Sequence, residues 1–317
     1  MLKQLIGITL LILLFGISVK AQQQDTVVVA RDGTGKYRTV QEAVEGVRAF
    51  MDYTVIIYVK NGIYKEKLVI PSWVKNVEIV GESSEGTVIT YDDHANINKM
   101  GTFRTYTVKI EGSNITLRNL TIENNAAQLG QAVALHTEGD KLRFINCRFL
   151  GNQDTIYTGA EGTRLLFTHC YIEGTTDFIF GPSTALFEDC TIHSKRNSYI
   201  TAASTPKEME FGYIFKNCKL TAGPGVDKVY LGRPWRPYAA TAFIHCEMGK
   251  HICPAGWENW KNTENEKTSR YAEFANTGEG VNVSGRVKWS SQLSKKEVLR
   301  YSIENIFKNC TDWCPAK

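Results

Sequence analysis

Short apolar runs, interrupted by glycine, asparagine and aspartate, fill the chain from Val55 to about Gly249. Many of these runs are rich in β-branched residues, and apolar residues do not recur there with a helical period. This pattern predicts short β-strands joined by tight turns. Earlier in the chain, Thr39 and Glu42 form a capping-box pattern ahead of apolar residues at helical spacing. We expect a helix there that extends to about Phe50.

One pattern occurs twice within the strand-rich region. The segments INCRFLGNQDTIY (145–157) and THCYIEGTTDFIF (168–180) align without a gap at an offset of 23 residues, which places Asp154 over Asp177. A chain that winds in stacked coils produces such a repeat. Parallel strands in adjacent coils lie about 4.8 Å apart. We therefore expect these two aspartates, which are remote in sequence, to be neighbours in space.

Cysteine recurs at the same phase of successive apolar runs, which distinguishes between two all-β architectures. The spacings are 23, 20, 28 and 28 residues, between Cys147, Cys170, Cys190, Cys218 and Cys246. A β-sandwich gives no reason for this recurrence, so we predict an all-β fold of the right-handed parallel β-helix (solenoid) type. The early helix would cap the first coil. After about Gly249 we expect a less regular segment, in which a helix-like stretch (294–307) covers the far end or lies along the side.

The recurring cysteines predict an interior ladder of free thiols, because cysteine is often buried as a small apolar residue. Adjacent coils also bring Cα atoms within the range of a disulfide. A bond between Cys170 and Cys190 is therefore an open alternative. Cys253, Cys310 and Cys314 fit no register.

The first 21 residues have the pattern of an export signal. Lys3 provides a basic start, residues 5–19 are apolar, and small residues precede a cleavage point before Gln22. The apolar run is shorter than the about 20 residues of a membrane span. We expect an exported protein, periplasmic or secreted, in which residues 22–317 form a single catalytic domain with no membrane association. A retained N-terminal anchor is the alternative.

The charge balance constrains the partners of the exported chain. Without Lys3 and Lys20 it has 35 basic and 33 acidic residues, a net charge of +2. A nucleic-acid-binding domain would show a clear basic excess, so we expect no nucleic-acid partner. The six histidines show no metal-ligand spacing, and we expect no metal or cofactor. Covered coil ends would prevent edge-to-edge stacking, which predicts a monomer.

The paired aspartates are the main candidates for catalysis. Two carboxylates on adjacent coils repel each other, so they share one proton and one pKa is raised. Arg233 is the candidate cation for the ionised partner, since a guanidinium holds a carboxylate in a bidentate manner. Gln131 and Gln153 offer N–H donors that suit the oxyanion of a tetrahedral intermediate. This donor set favours acyl chemistry over glycoside cleavage, whose transition state is cationic.

Five segments resemble, in order, the signature segments of the pectin methylesterases. They are GIYKE from Gly62, QAVAL from Gln131, GNQDTIY from Gly151, DFIFG from Asp177 and LGRPW from Leu231. The resemblance extends from about residue 27 to residue 282. It implies a right-handed parallel β-helix that hydrolyses the methyl esters of galacturonate units in pectin and releases methanol, without a metal.

The resemblance also implies a role for each matched residue. Asp177 would be the nucleophile, and Asp154 the general acid/base that protonates methanol and then activates water. Gln131 and Gln153 would stabilise the oxyanion, and Arg233 would orient Asp177. The expected substrate-binding residues are Thr102, Gln131, Phe178, Arg233 and Trp235.

Two other classes of function, a different pectin-degrading enzyme and a non-catalytic binding protein, are compatible with a β-helix. A pectate lyase would need a calcium-binding acidic cluster, and an inverting polygalacturonase would need carboxylates about 6.5 to 9.5 Å apart, whereas stacked coils predict a closer pair. The second alternative is a non-catalytic β-helix that binds polysaccharide.

Overall fold

The computed structural model describes residues 25–308 and Trp313. The chain winds in successive coils, and each complete coil contributes one strand to each of three sheets, here named A, B and C. Neighbouring strands within a sheet pair in parallel. The predicted right-handed parallel β-helix is therefore confirmed.

The strands of the three sheets follow one another in the order A, B, C along the chain. Sheet A contains Asp25–Val29, Val55–Val59, Val77–Gly81, Ile115–Arg118, Leu142–Ile145, Arg164–Thr168, Thr184–Glu188, Tyr213–Lys216, Ala240–Ile244, Arg270–Phe274 and Ser291–Gln292. Sheet B contains Gly62–Lys65, Thr87–Tyr91, Thr121–Asn124, Arg148–Leu150, Tyr171–Gly174, Thr191–Ser194, Lys219–Ala222 and Glu247–Met248. Sheet C contains Leu68–Ile70, Val108–Ile110, Leu135–Thr137, Ile156–Thr158, Ile179–Gly181, Tyr199–Ala203 and Tyr230–Gly232.

A column of phenylalanine rings fills the interior behind sheet A. Consecutive rings stack with centroids 4.4 to 4.6 Å apart, and the column consists of Phe144, Phe167, Phe187, Phe215 and Phe243. This distance is close to the separation of paired strands, about 4.8 Å. Each coil therefore buries its ring against the equivalent ring of the next coil, which fixes the register of the stack.

The cysteine ladder follows the same principle. Its five thiols are free and buried, so the alternative Cys170–Cys190 disulfide is not formed. The residue before each thiol has a left-handed backbone with φ of 51 to 55°: Asn146, His169, Asp189, Asn217 and His245. Asparagine, aspartate and histidine are enriched in this conformation, which explains the polar residue before each cysteine. Cys253 is also free and buried, whereas Cys310 and Cys314 lie outside the described residues.

The N-terminal capping helix is shorter than its sequence pattern predicts. The helix spans Val40–Glu45, with the capping box of Thr39 in place, and its buried apolar face packs on the first coils. It ends at Gly46, and the prediction of an end near Phe50 is wrong. Phe50 has a left-handed φ of 56°, and its amide donates to the carbonyl of Trp73 at 2.8 Å. The backbone of Phe50 is thus used by a tertiary contact that a helix would not allow.

The C-terminal segment lies along the side of the solenoid. In place of one helix it forms two short helices, Lys295–Val298 and Ile303–Ile306, joined by the 3₁₀ turn Leu299–Tyr301. Ile306, Phe307 and Trp313 pack on the outer face of sheet A. Further 3₁₀ turns span Ile97–Lys99, Thr102–Arg104, Thr263–Lys267 and Val283–Gly285. Within the described ranges, none of the helices has the length and apolar character that crossing a membrane requires.

Candidate active site

The two aspartates of the repeat lie in adjacent coils. Each stands two residues before a strand of sheet C, and these strands pair with Ile156 opposite Ile179. The amide of Asp154 donates to the carbonyl of Thr176, directly before Asp177, at 3.1 Å. The offset of 23 residues in the sequence repeat is therefore also the offset between paired residues of these two coils.

Both aspartates have a left-handed backbone, with φ of 67° at Asp154 and 48° at Asp177. Such a conformation costs a non-glycine residue roughly 1 to 3 kcal/mol and persists where the surrounding packing enforces it. A glycine stands three residues before each aspartate. Because it has no side chain, the backbone can pass close to the side chain that follows the aspartate. A Cβ atom on Gly174 would lie 2.2 Å from the Cβ of Phe178. The repeated glycine and aspartate are thus parts of one corner between sheets B and C.

A cleft of about 230 Å³ opens at this corner. Its lining comprises Thr102, Phe103, Gln131, Gln153, Asp154, Asp177, Phe180, Ala202, Arg233, Trp235 and Trp260. Seven of the eight residues singled out by the sequence are brought together here. The exception is Phe178.

Phe178 belongs to the core, so the prediction that it contacts the substrate is wrong. Its side chain is fully buried, with an exposure of 0%. The left-handed turn at Asp177 interrupts strand alternation, and the next aromatic residue of the motif, Phe180, lines the cleft instead. The ring of Phe180 packs edge-on against Trp235, with centroids 5.8 Å apart.

Arg233 binds one aspartate of the pair. Its Nε donates to Oδ1 of Asp177 at 3.0 Å, and its Nη2 donates to Oδ2 at 2.6 Å. The side chains of Arg233 and Asp177 are only 20% and 8% exposed. This bidentate, largely desolvated ion pair confirms the predicted proximity, and it fixes the orientation of the Asp177 carboxylate.

The surroundings of the two carboxyl groups separate their protonation states. Burial raises the pKa of Asp154 well above its ordinary value, and the charge of Asp177 raises it further. Burial also raises the pKa of Asp177, but the hydrogen bonds and the charge of Arg233 act against this shift. Among the described residues, none donates a hydrogen bond to the carboxyl group of Asp154. These surroundings favour the proton on Asp154 and the ionised form of Asp177.

Two side-chain amides accompany the aspartates. Gln131 and Gln153 lie on adjacent coils, where the amide of Ala132 donates to the carbonyl of Gln153 at 3.1 Å, and both side chains line the cleft. The arrangement therefore combines an acid, a carboxylate and N–H donors in one cleft. No group of three or more histidine, cysteine or acidic side chains is placed to hold a metal ion in the described part of the chain.

Sequence reasoning missed several aromatic residues of the site. Phe103, next to the predicted Thr102, contacts Tyr157 with ring centroids 4.8 Å apart. Tyr199 and Trp260 lie on opposite sides of Arg233 in sequence, and neither belongs to a motif that the sequence singled out. Trp260 lies in the less regular segment after about Gly249, so only the tertiary structure could place it.

Residues 26–309 match the model of the Pectinesterase family. The chain belongs to the pectinesterase family. Pectinesterase 31 of Arabidopsis thaliana is 38% identical over 280 residues, which are 85% of this chain and 88% of that protein. Two relatives named probable pectinesterase/pectinesterase inhibitor, from Brassica napus and Arabidopsis thaliana, are matched over only 50% of their own length.

Solved structures of pectin methylesterases have the same fold. The enzyme from carrot superposes with a TM-score of 0.85 at 32% identity and covers 89% of this chain and 92% of its own. A pectin methylesterase in complex with a hexasaccharide gives a TM-score of 0.79 at 27% identity, over 92% of this chain and 98% of its own. Members of this family are carboxylic ester hydrolases that act on pectin, and this chain is one of them.

Proposed function

We propose that Asp177 and Asp154 carry out the hydrolysis of pectin methyl esters in this pectinesterase, as nucleophile and general acid/base. The single observation that supports this assignment is the asymmetry of the pair. Arg233 donates two hydrogen bonds to Asp177, whereas Asp154 is buried with a raised pKa. An ionised, oriented carboxylate is suited to attack, and a protonated neighbour is suited to donate a proton.

In the first half-reaction, an Oδ atom of Asp177 attacks the carbonyl carbon of the methyl ester. The carbonyl oxygen becomes negatively charged, and the side-chain amides of Gln131 and Gln153 donate hydrogen bonds to it. When the tetrahedral intermediate collapses, the bond to the methoxy oxygen breaks and Asp154 transfers its proton to that oxygen. Methanol leaves, and an anhydride joins Asp177 to the galacturonate unit.

In the second half-reaction, Asp154 is ionised and accepts a proton from water. The resulting hydroxide attacks the galacturonyl carbon of the anhydride, and the same amides stabilise the second oxyanion. Collapse releases Asp177 as a carboxylate and leaves Asp154 protonated. One ester and one water are converted to one acid and one methanol, and both aspartates regain their starting states.

The cleft supports binding of a polysaccharide beside these groups. Aromatic rings of Phe103, Phe180 and Trp235 line it together with the hydroxyl-bearing Thr102. Apolar faces of sugar rings pack on aromatic side chains, and we propose that Trp235 supplies such a contact. The relative solved with a hexasaccharide is consistent with a pectin chain as the ligand.

The test of this function measures three products from highly methylated pectin: methanol, new reducing ends and unsaturated sugars, each with and without a calcium chelator. The proposed esterase releases methanol with no chain cleavage, and the chelator has no effect. Unsaturated products that require calcium would identify a lyase, and new reducing ends would identify a polygalacturonase. Pectin binding without any product would identify a polysaccharide-binding protein.

We also propose that the chain acts after export, as a monomer. The supporting observations are the signal-like pattern of residues 1–21, which lie outside the described residues, and the capping of the first coils by the helix Val40–Glu45. N-terminal sequencing of the exported protein is expected to begin at Gln22. Light scattering is expected to give the mass of one chain, and a dimer mass would contradict the prediction.

A further inference from the structure

The guanidinium of Arg233 is enclosed by two aromatic rings. Its central carbon lies 3.9 Å from the ring centroid of Tyr199 and 3.8 Å from that of Trp260. The flat guanidinium of arginine stacks on aromatic faces, and this leaves its edge free for a planar partner. Here that edge faces Asp177 with two hydrogen bonds. The two rings thus restrict Arg233 to the plane in which it meets the nucleophile.

Trp260 reaches this position from an unfavourable backbone conformation. Its φ is 60°, and the next residue, Lys261, has a φ of 54°. Two successive left-handed residues without glycine are uncommon, and a bulky residue such as tryptophan is an outlier in this region. Surrounding contacts must therefore enforce the turn.

Glu258 supplies those contacts. Its Oε2 accepts a hydrogen bond from the amide of Trp260 at 2.9 Å, and its Oε1 accepts one from the amide of Lys261 at 3.1 Å. The amide of Glu258 itself donates to the carbonyl of Gly232 at 3.1 Å. One residue therefore connects the left-handed turn to the strand end that carries Arg233.

We propose that Glu258 is a positioning residue for the esterase reaction: its carboxylate holds the left-handed turn that places Trp260 on Arg233, and so keeps Arg233 aligned with Asp177. Glu258 acts through its neighbours and does not contact the substrate. The inference rests on the proposed role of Asp177 as nucleophile. It also gives Trp260 a role different from that of a platform for a sugar ring.

Glu258 influences Asp177 in a second way, which determines the choice of assay. The charged or titratable groups that interact with Asp177 are Asp154, Arg233, Glu258, Tyr199 and Tyr271. Burial is the main cause that raises the pKa of Asp177, and the charge of Glu258 adds to it. Removing Glu258 would lower this pKa, whereas a loosened Arg233 would raise it. The turnover number kcat therefore reports on Glu258 better than the pH profile does.

The experiment is a double-mutant cycle on kcat for methanol release, with Glu258→Ala, Trp260→Ala and the double variant. Each single change is expected to lower kcat about 5- to 30-fold, the range of a desolvated cation–π contact. If Glu258 acts through Trp260, the kcat of the double variant is no more than about threefold below that of the more impaired single variant. If the fold reduction of kcat in the double variant equals the product of the two single reductions, Glu258 does not act through Trp260 and the proposal is overturned.

Further variants separate positioning from sugar stacking. Trp260→Phe retains a ring over Arg233 and is expected to recover most of the lost kcat. Trp260→Ala is expected to move the acid limb of the kcat/KM profile to higher pH, since Arg233 then holds Asp177 less well. A sugar platform would instead raise KM and leave both kcat and the acid limb in place, which would also overturn the proposal. If Glu258→Ala does not fold, Glu258→Gln retains one acceptor oxygen and replaces it in the cycle.

Matched controls test for general effects of losing a tryptophan or a carboxylate. Trp73 is a half-exposed tryptophan outside the cleft lining. Glu264 forms an exposed salt bridge with Lys267. We expect Trp73→Ala and Glu264→Ala to leave kcat unchanged. Asp177→Asn is measured in parallel. If it retains methanol release, the proposed function fails. If Asp177→Asn is inactive while the kcat reductions of Glu258→Ala and Trp260→Ala multiply in the double variant, only the role of Glu258 fails.

Discussion

Removal of the Arg233 guanidinium gives the most quantitative test of the electrostatics in the cleft. Arg233→Ala leaves the Asp177 carboxylate buried without its two charge-assisted hydrogen bonds, which measure 3.0 and 2.6 Å. A hydrogen bond to a charged group contributes about 1.5 to 3 kcal/mol. Because the two side chains are only 20% and 8% exposed, solvent does not replace these bonds effectively.

The lower bound for two such bonds is about 3 kcal/mol, and one pKa unit corresponds to about 1.4 kcal/mol. The pKa for ionisation of Asp177 is therefore expected to rise by about two units in Arg233→Ala. Asp177 must be ionised to attack, so the ionised fraction at a given acidic pH falls. The acid limb of the kcat/KM profile moves to higher pH, and part of the activity returns as the pH is raised.

The assay is methanol release across pH, with the limb assigned to the coupled pair of aspartates and not to one of them. Arg233→Lys is the matched variant, because it keeps the positive charge but loses the planar fork. It is expected to reduce kcat. It should shift the acid limb by less than about one pH unit, which is half of the shift expected for Arg233→Ala. A reduced rate with an unmoved acid limb in Arg233→Ala would show that Arg233 does not stabilise ionised Asp177 and serves only to bind substrate.

Four further predictions concern the oxyanion, the cleft and the core. Gln131→Ala and Gln153→Ala are each expected to lower kcat about 100- to 1000-fold in steady-state kinetics; a change in KM alone would contradict the oxyanion role. Trp235→Ala is expected to raise KM with little change in kcat, and an unchanged KM would exclude a sugar contact. Phe215→Ala, which removes a ring stacked on both sides within the phenylalanine column, is expected to lower the free energy of unfolding in urea by about 3 to 5 kcal/mol; a loss below about 1 kcal/mol would show that the column contributes little. Burial raises the pKa of the Cys190 thiol, so a thiol reagent is expected to label it only after denaturation, and rapid labelling of the native protein would place it at the surface.

The coil register and the proximity of the two aspartates could be predicted from the sequence because a solenoid repeats its side chains at fixed intervals. Equivalent positions in the repeat, such as Asp154 and Asp177, become neighbours once the coils stack. The polar residues before the cysteines are informative for the same reason, since each of the five coils that carry these cysteines has a left-handed residue at that corner. Local backbone requirements therefore appear in the sequence wherever they recur.

The errors arose where one residue interrupts the local pattern. The left-handed backbone of Asp177 shifts the aromatic residues of its motif, so that Phe178 is buried and Phe180 lines the cleft. Strand alternation alone cannot reveal this shift. The early helix ends at Gly46 because the backbone of Phe50 forms a contact with a distant part of the chain. A sequence pattern contains no information about such a partner.

The aromatic enclosure of Arg233 was not predictable for a different reason. Tyr199 lies in the repeated part of the chain, whereas Trp260 lies after it, and the two rings meet Arg233 from opposite faces. The contact depends on the turn fixed by Glu258. Recognition of this arrangement requires the three-dimensional positions of three separate segments.

The nucleophilic role of Asp177 is tested by methanol release from methylated pectin by Asp177→Asn, measured beside the wild type and Asp154→Asn, with pectin binding determined for each protein. The replacement keeps the size of the side chain and removes the nucleophilic carboxylate. We expect that Asp177→Asn binds pectin and releases no methanol above the uncatalysed background, and that Asp154→Asn is also strongly impaired. Methanol release near the wild-type rate by Asp177→Asn would show that Asp177 is not the nucleophile.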